Sequence, residues 1–445
     1  MIDVSTLSDL GNVGVSPKVD RATYLTHLLS LRSPLTNDLN WLQDVRDRAT
    51  ARVQELAIPS TRDEEWRFTD LSSLLAIELK AIAGPPSTIE PAAIAPFMLP
   101  EAPIRLVFVD GVYVPELSTT TNLPANVFVG DLTAANQAGL QDQISTHLAT
   151  QPGAEETFTT LNTASFTNAA VVLIPKNQVI ESPIHLLFVA TPGQAGAVTH
   201  PRCWIMVEAN SSVTLVEDYV AVGDSVYFTN SVTEIWLAAN AEVQHTRVQR
   251  DSQAAFHVGK TAVFQARDSR YACIAISFGA ALSRHNLEVY QTGEQTSTTL
   301  NGLTAIAGEQ VADTHSLISY TKPHSTSNQV HKCIVDDRAH AVFNGKIFVP
   351  QAAQLTDARQ LSKNLLLSPK ARVDTKPQLE ITADNVKCAH GATVSQLEND
   401  EIFYLQSRGI DQAQAVKLLT YAFAYEVIER IAIASLRETL LQHVT

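Results

Sequence analysis

Apolar residues recur at helical spacing in the first part of the chain, from about residue 20 to 80. Leu25 and Leu28 belong to one such run, and a second run begins near Trp41 after Asn37 or Asp38, either of which can cap a helix. This pattern predicts an amphipathic helical domain at the N-terminal end.

Proline then interrupts the helical pattern. Residues 84–103 contain six prolines, a density that no helix sustains. We therefore predict a linker here and assign residues 1–103 to an N-terminal helical domain with its Pro-rich linker.

From about residue 104 to 385 the chain consists of short runs of β-branched and aromatic residues separated by Gly, Asn, Asp and Pro. Residues 171–174, 184–189 and 347–349 are examples, and each predicts a strand. Long helical periodicity is absent from most of this span, which disfavours the alternating strands and helices of a Rossmann or barrel fold.

Polar turn signals followed by strands repeat through this region. Val213, Val243 and Tyr271 follow such signals at intervals of about 30 residues, and Val311 and His340 do so further along, whereas about 40 residues separate Tyr271 from Val311. A spacing near 30 is typical of the coils of a parallel β-helix. An all-β sandwich has a similar texture, so the pattern leaves both architectures open.

Helical periodicity returns near the C-terminus. Asp400 is a predicted cap of a short helix that Gly409 ends, and Asp411 with Gln414 resembles a capping box that opens a longer helix. A last apolar stripe covers residues 436–444. It either packs on the strands of the same chain or docks another subunit.

Charge and composition exclude several classes of protein. The chain has 445 residues with 32 basic and 46 acidic side chains, a formal charge of -14, and no Lys/Arg-rich run, which argues against nucleic acid or an anionic membrane as a partner. It contains no run of about 20 apolar residues and no secretory leader pattern. We expect a soluble, cytoplasmic protein.

The four cysteines lie far apart, without a Cys-x-x-Cys pair, which argues against a disulfide framework or a ferredoxin-type cluster run. Cys203 and Cys273 are predicted to be small buried side chains, and Cys333 is predicted to lie in the core or a turn.

Cys388 differs because His390 lies two residues away. In an extended strand, residues i and i+2 point to the same face, so this pair would present two soft-metal ligands side by side. Two ligands do not complete a zinc or iron-sulfur site, which needs about four. Further ligands must come from elsewhere in this chain or from another chain.

The residues around this pair resemble a known family. Segments PQLEI at 377–381, DNVKC at 384–388, HGAT at 390–393, FYL at 403–405 and SRGI at 407–410 closely resemble the C-terminal signature of the SufB/SufD family, D type. DEEWRFT at 63–69 is similar to the family's short acidic, Trp-containing motif. Ala389 and Ser395 depart from the usual Ser and Gly, and neither departure removes the thiol or the imidazole.

The resemblance implies a scaffold subunit of the SUF iron-sulfur cluster assembly system. It implies a mainly β fold, with a right-handed parallel β-helix at residues 104–395 between the N-terminal helices and a C-terminal helical domain at residues 396–445. It also implies a complex with a SufB-like subunit and two copies of the ATPase SufC, attached through the C-terminal helices. A transient iron-sulfur cluster would form at the interface with the partner, with His390 and Cys388 as candidate ligands.

The sequence contains no phosphate-binding loop and no recognisable enzyme motif, so we expect a non-enzymatic chain that binds no nucleotide. Two alternatives stay open. One is a β-helix enzyme acting on carbohydrate, with catalytic carboxylates such as Asp336–Asp337 or Glu64–Glu65. The other is a homodimer that serves as a storage or resting form.

The strand-rich region also contains many histidines. Most are expected to be ordinary surface or hydrogen-bonded core residues, although inward-facing ones on stacked coils would form a metal or proton path. The histidines in question, whichever way they face, are His245, His257, His285, His315, His324, His331 and His340.

Overall fold

The strands and turns predicted from the sequence form a long stack of coils. The structure is a computed structural model, and it describes residues 20–35, 39–82, 89–121, 123–124, 126–191 and 195–444. Within these ranges the helices lie near the two ends of the chain and between the early strands. They are α1 Arg21–Ser30, α2 Trp41–Val53, α3 Ser72–Leu75, α4 Pro91–Ile94, α5 Leu132–Gln137, α6 Gln141–His147, α7 Thr157–Ser165, α8 Asn399–Ser407, α9 Gln412–Ile428 and α10 Ala434–Gln442, with short 3-10 helices at Glu64–Trp66, Ala95–Phe97 and Pro115–Leu117.

The strands fill the region between the terminal helices, and most of the later ones are about ten residues long. They are β1 Ile104–Val109, β2 Val112–Tyr113, β3 Phe128–Asp131, β4 Ala170–Ile174, β5 Ile184–Ala190, β6 Val198–Thr199, β7 Arg202–Val207, β8 Ser212–Ala221, β9 Phe228–Leu237, β10 Glu242–Arg250, β11 Phe256–Gln265, β12 Arg270–Ser277, β13 Leu282–Gln291, β14 Ser297–Ile306, β15 Val311–Tyr320, β16 Thr326–Val335, β17 His340–Val349, β18 Asp357–Leu366, β19 Arg372–Ile381 and β20 Lys387–Gln396.

These strands form two facing sheets. The first sheet runs β2-β1-β5-β8-β10-β12-β14-β16-β18-β20, and the second runs β19-β17-β15-β13-β11-β9-β7-β4-β3. From β8 onward, consecutive strands alternate between the sheets and every pairing within a sheet is parallel. The chain is therefore a parallel β-solenoid with helical segments at both ends, which confirms the predicted fold class.

The register explains the repeat in the sequence. Val213, Val243 and Tyr271 are Cα partners on β8, β10 and β12 of the first sheet, so each interval of about 30 residues is one full coil. Val311 lies on β15 of the second sheet and pairs with His340. The interval of about 40 residues therefore crosses from one sheet to the other and does not interrupt the solenoid.

Many central strands are buried on both faces. In β9 almost every residue is buried. Ile235 packs in the solenoid interior, whereas Phe228 and neighbouring outward residues pack against α1, α2 and α7. Burial of both faces removes the alternation of polar and apolar residues that marks a half-exposed strand.

Asparagines at one corner of the solenoid account for several turn signals. Asn210 and Asn240 adopt left-handed φ angles of 60° and 56°, which Asn tolerates better than most residues. The side-chain amide of Asn240 donates to the side-chain oxygen of Asn210 (3.1 Å), so successive corners are also linked to each other.

Some helices lie where the sequence predicted none. The Pro-rich segment contains α4 and the adjoining 3-10 turn, and α5, α6 and α7 lie within the region that was predicted to be dominated by strands. Pro91 opens α4, where its missing N–H costs nothing. The predicted caps Asn37 and Asp38 lie outside the described residues.

The C-terminal helices follow the predicted order. Gly409 ends α8 with a φ of 88°, and the Asp411 carboxylate accepts the backbone N–H of Gln414 (3.0 Å) at the start of α9. Asp400 was predicted as a cap but lies in the first turn of α8, where Glu398 holds the cap position. Leu436 and Leu440 of α10 are fully buried against the outer face of the first sheet.

Candidate functional site

The solenoid ends in two unpaired strand edges. Among the strands of the described residues, β20 pairs only with β18 at the end of the first sheet, and β19 pairs only with β17 at the end of the second. Along β20 most residues are exposed. This end of the solenoid, formed by β19 and β20 and called the open end below, therefore has backbone hydrogen-bonding groups without a strand partner among the described residues.

Cys388 and His390 both lie on β20 at the open end. They are Cα partners of Ala358 and Gln360 on β18, whose side chains are buried in the solenoid interior. Because side chains at i and i+2 share a face and register carries that face to the next strand, Cys388 and His390 project on the interior side of the last coil. The thiol is half-buried and the imidazole is exposed.

Cys388 borders the apolar interior of the solenoid. Burial raises the pKa of its thiol, and the negative charge of Asp357 acts in the same direction. The thiol is thus protonated at neutral pH, and binding a metal through the thiolate releases its proton.

Among the described residues, no group of three or more His, Cys, Asp or Glu side chains is arranged to hold a metal ion. Cys388 and His390 provide one thiol and one imidazole, which is half of a four-ligand site. A four-ligand site at the open end would therefore need two further ligands.

A second group of polar side chains is buried inside the solenoid. The sequence suggested that its histidines could cluster there but did not indicate its acidic residues and arginine. The carboxylate of Glu217 accepts hydrogen bonds from the hydroxyls of Tyr219 (2.6 Å) and Thr233 (3.0 Å) and lies 3.2 Å from Nε2 of His245. On the other side of the ring, Nδ1 of His245 lies 3.0 Å from the hydroxyl of Tyr271. All of these groups are buried.

The interior network continues through Arg247. Its guanidinium Nη2 donates to Nε2 of His257 (2.9 Å), and Nδ1 of His257 donates to the Asp251 carboxylate (2.8 Å). A Cβ atom on Gly259 of the opposite sheet would overlap the Arg247 guanidinium, so glycine there makes room for the network.

Opposite charges keep Glu217 and His245 of this network ionised, whereas burial lowers the pKa of His257. Burial raises the pKa of Glu217, but hydrogen bonding and the charges of His245 and Arg247 outweigh burial and lower it to about 2. Burial also opposes protonation of His245, but Cys273 and Glu217 raise its pKa to about 9. Glu217 and Arg247 lie on neighbouring coils as Cα partners, and charged residues about 30 positions apart at interior positions were the signal that could have revealed them.

The other three cysteines are buried, as predicted. Cys273 lies beside His245 in the network, whereas burial raises the pKa of Cys333 to about 12 and keeps that thiol neutral. A buried, protonated thiol is unreactive. Of the four, Cys388 alone is partly exposed.

The histidines of the strand region divide by face. His245, His257, His285 and His331 are buried in the interior, and only the first two join the charged network. His315 and His340 lie on the outer face, paired with Asp313 and Asp374, and His324 is exposed at a corner.

The acidic, Trp-containing motif at residues 63–69 packs on the outer face of the second sheet. Arg284 donates to the backbone oxygen of Glu65 (2.6 Å), and its guanidinium carbon lies 3.8 Å from the centre of the Trp66 ring. Nearby, Asp313 pairs with Arg284 and His315. A cleft of about 690 Å³ adjoins this contact between the N-terminal segment and the sheet.

The carboxylate pairs considered as catalytic groups make structural contacts. Glu64 pairs with Lys376, and Glu65 lies 3.3 Å from Nδ1 of His315. In the other pair, the Asp336 carboxylate accepts the backbone N–H of Asp337 (2.7 Å), and Asp337 has a left-handed φ of 52° in the turn. The Glu64 and Glu65 contacts hold the N-terminal segment against the second sheet, and the Asp336 contact stabilises a turn.

Comparison with known proteins then decides the family. A family model described as the SUF system FeS cluster assembly SufBD core domain matches residues 188–423, and a model of the SufBD protein N-terminal region matches residues 22–186. The chain belongs to the SufBD family. The core match covers most of the solenoid and extends through α8 into α9.

Relatives align with nearly the full chain. An iron-sulfur cluster assembly SufBD family protein of Synechocystis is 48% identical over 91% of this chain and 90% of its own length. Protein ABCI7, chloroplastic, of Arabidopsis thaliana is 34% identical over 91% of this chain and 85% of its own length. The iron-sulfur cluster assembly protein SufD of Escherichia coli is 33% identical over 89% of this chain and 92% of its own length. Across the described part of the chain, no helix has the length and apolar character needed to span a membrane.

Proposed function

We propose that this chain is a non-enzymatic scaffold subunit of the SUF complex, in which the open end of the solenoid helps to build an iron-sulfur cluster with a SufB-like partner. The observation that carries the proposal is the location of Cys388 and His390 on the interior side of an unpaired edge strand. Membership of the SufBD family and the names of its relatives support the same function.

The donor set suits this cargo. Thiolate and neutral imidazole are soft and borderline ligands that bind iron, and a second chain at the open end would supply the ligands that this chain lacks. In the proposed site His390 is a ligand of the nascent cluster and Cys388 is its neighbour or co-ligand. The cluster is passed on and does not stay with this chain.

The unpaired edges favour a strand-pairing contact with the partner. β19 and β20 are each ten residues long and have free backbone donors and acceptors on one side. Such edges recruit strands of another chain. A second copy of this chain would satisfy the same groups, so we also propose a homodimer as the form without its partner.

We propose that the C-terminal helices dock a SufC-like ATPase, which would supply the nucleotide chemistry. Two faces of these helices have different roles. Leu436 and Leu440 are buried on the solenoid, whereas Phe403, Leu418 and Tyr425 are 70%, 46% and 41% exposed. The exposed residues of α8 and α9 are the part available to a partner. The free cysteines are compatible with a reducing cytoplasm.

The test of the cluster site is production of the chain together with its SufB-like and SufC-like partners, followed by iron and sulfide analysis of the purified complex. We expect His390→Asn to lose most of the cluster while the complex keeps its subunits, because Asn lacks an imidazole ligand. A milder loss with Cys388→Ser would make Cys388 a supporting residue, and an equal loss would make it a co-ligand.

His324→Asn is the matched control. His324 is exposed and has a φ of 65°, a conformation that Asn accepts, so this change removes an imidazole without strain. A normal amount of cluster in the His390→Asn complex would show that the proposed site is wrong.

A further inference from the structure

The interior row that ends at His390 contains two stacked glutamines. Gln329 on β16 and Gln360 on β18 are Cα partners, and His390 on β20 is the next Cα partner in the row. Neighbouring strands lie about 4.8 Å apart, so side chains in this row contact their neighbours along the axis of the solenoid.

Hydrogen bonds give the glutamine row a direction. Gln329 Nε2 donates to the Ser316 hydroxyl on the opposite sheet (2.8 Å), and Gln360 Nε2 donates to Oε1 of Gln329 (2.8 Å). Gln360 thus donates away from the open end, to the preceding coil, and Gln329 donates across the interior. In such a stack the amide oxygen accepts from the next coil.

The last oxygen of the row has no partner. Oε1 of Gln360 is buried and accepts no hydrogen bond from any described residue, and Gln360 is only 3% exposed. Buried amide oxygens are almost always hydrogen-bonded, so this one calls for a donor. The side chain one coil further along is the imidazole of His390, which makes no hydrogen bond of its own to the described residues.

Gly345 holds the Gln360 amide in place. Gly345 lies on β17 in the opposite sheet, and a Cβ atom there would overlap the Gln360 amide nitrogen. Because Gly345 has no side chain, it leaves a space in the interior that the Gln360 amide fills. The orientation of Gln360 is therefore set by packing as well as by hydrogen bonding.

We infer that Gln360 is a positioning residue: when the exposed ring of His390 turns towards the interior, the Gln360 amide oxygen accepts the N–H of one ring nitrogen and leaves the other nitrogen free to bind the nascent cluster. The inference rests on the proposed function for His390 as a ligand. Metal-binding histidines commonly donate their second ring N–H to such an acceptor, and loss of the acceptor weakens metal binding by about 10-fold to 100-fold.

The test is the tautomer of His390, read from two-bond proton-nitrogen correlations of the full-length chain labelled with ¹⁵N-histidine at a pH where the ring is neutral. His390→Asn assigns the signal. We expect a single tautomer in the unsubstituted chain and a mixture of two tautomers in Gln360→Met, which keeps the length of the side chain but removes the acceptor.

Gln291→Met is the control. Gln291 is equally buried, has an unpartnered Oε1, and lies on β13, away from the row that ends at His390. We expect it to leave His390 in one tautomer. Gly345→Ala, which displaces the Gln360 amide without removing it, should give the same mixture as Gln360→Met. A mixture in the unsubstituted chain, or a single tautomer in Gln360→Met, would overturn the inference.

This measurement needs neither a cluster nor a partner chain. If His390→Asn assembles cluster normally while the tautomer is fixed by Gln360, the proposed function fails and the hydrogen bond stands. If His390→Asn loses the cluster but Gln360→Met keeps one tautomer, the function stands and the positioning role fails.

Discussion

His331 is a histidine buried in the interior of the solenoid. Its Nε2 lies 3.3 Å from the Thr304 hydroxyl, and its ring stacks on Phe343 with ring centres 4.5 Å apart. No carboxylate forms an ion pair with this ring among the described residues, so burial alone decides its protonation state.

His331 should make the protein less stable in mild acid. Burial lowers the pKa of His331 to about 3, below the value of about 6.5 in an unfolded chain. Between those values the unfolded chain binds a proton that the folded chain excludes, so stability falls as the pH drops from 6.5 towards 3. The loss from this group is about 2 kcal/mol at pH 5.

Urea denaturation between pH 7 and pH 5 measures this effect. We expect His331→Leu to lower stability at pH 7, since it removes the hydrogen bond and the ring stack, but to flatten the decline towards pH 5. The free energy of unfolding of His324→Asn, a change at an exposed corner, should decline towards pH 5 as steeply as that of the unsubstituted chain. Equal slopes for His331→Leu and the unsubstituted chain would contradict the buried, neutral histidine.

The sequence revealed some of these residue environments and not others. The Cys388–His390 pair was recognisable because two ligand types lie two positions apart in a predicted strand. Glu217 and Arg247 were not recognisable, because a pattern of strands does not say which residues face the interior. The same uncertainty concealed the burial of His331.

Strands and helices were predictable where the apolar residues followed a single clear periodicity. The coil length was visible from the turn residues, and the start of α9 was visible from its cap. The strand boundaries were not, since residues 347–349 were predicted as a strand whereas β17 spans His340–Val349. The short helices α5 to α7 were not predicted, because six to nine residues give too few turns for a helical period to stand out. The two sheets were not separable, because outward faces covered by helices are as apolar as inward ones.

The exposed residues of α9 give a test of ATPase docking. We expect Leu418→Ser and Tyr425→Ser together to abolish capture of the SufC-like ATPase, because both remove exposed apolar surface while leaving the buried face of α9 intact. A pull-down measures docking, and circular dichroism checks the fold.

Lys417→Ser is the matched control, since Lys417 is an exposed polar neighbour on the same helix.

Point substitutions are preferable to deletion of the tail. α9 and α10 cover Val248, Ile276 and Leu303 of the first sheet, and their removal would expose that apolar surface. Full ATPase binding by the double variant would place the dock elsewhere.

At the scale of the whole molecule, the solenoid is a stack in which each coil contacts mainly its neighbours. Inner coils are paired on both sides, but the coil of β19 and β20 is paired on one side only. Backbone amides at such an end open more readily than those in the middle. The open end is therefore both the candidate assembly site and a less protected part of the stack than the inner coils.

Hydrogen exchange should report partner binding at this end. We expect peptides from residues 372–396 to exchange faster than those from β10 to β13 in the isolated chain, and to become protected when the SufB-like subunit is added. Peptides from α2, which packs against α7 in the N-terminal part of the chain, serve as the control, and their exchange rates should not change. Unchanged exchange over residues 372–396 on addition of the partner would exclude the open end as the contact.

The free strand edges also constrain how a cell must produce this protein. A chain made in excess of its partner exposes two ten-residue edges that will pair with whatever strand they meet, including those of identical copies. Balanced synthesis of the subunits would keep these edges occupied from the start. Overproduction of this chain alone should therefore give end-to-end homodimers, and co-production of the partner in equal amount should replace them with the heterocomplex.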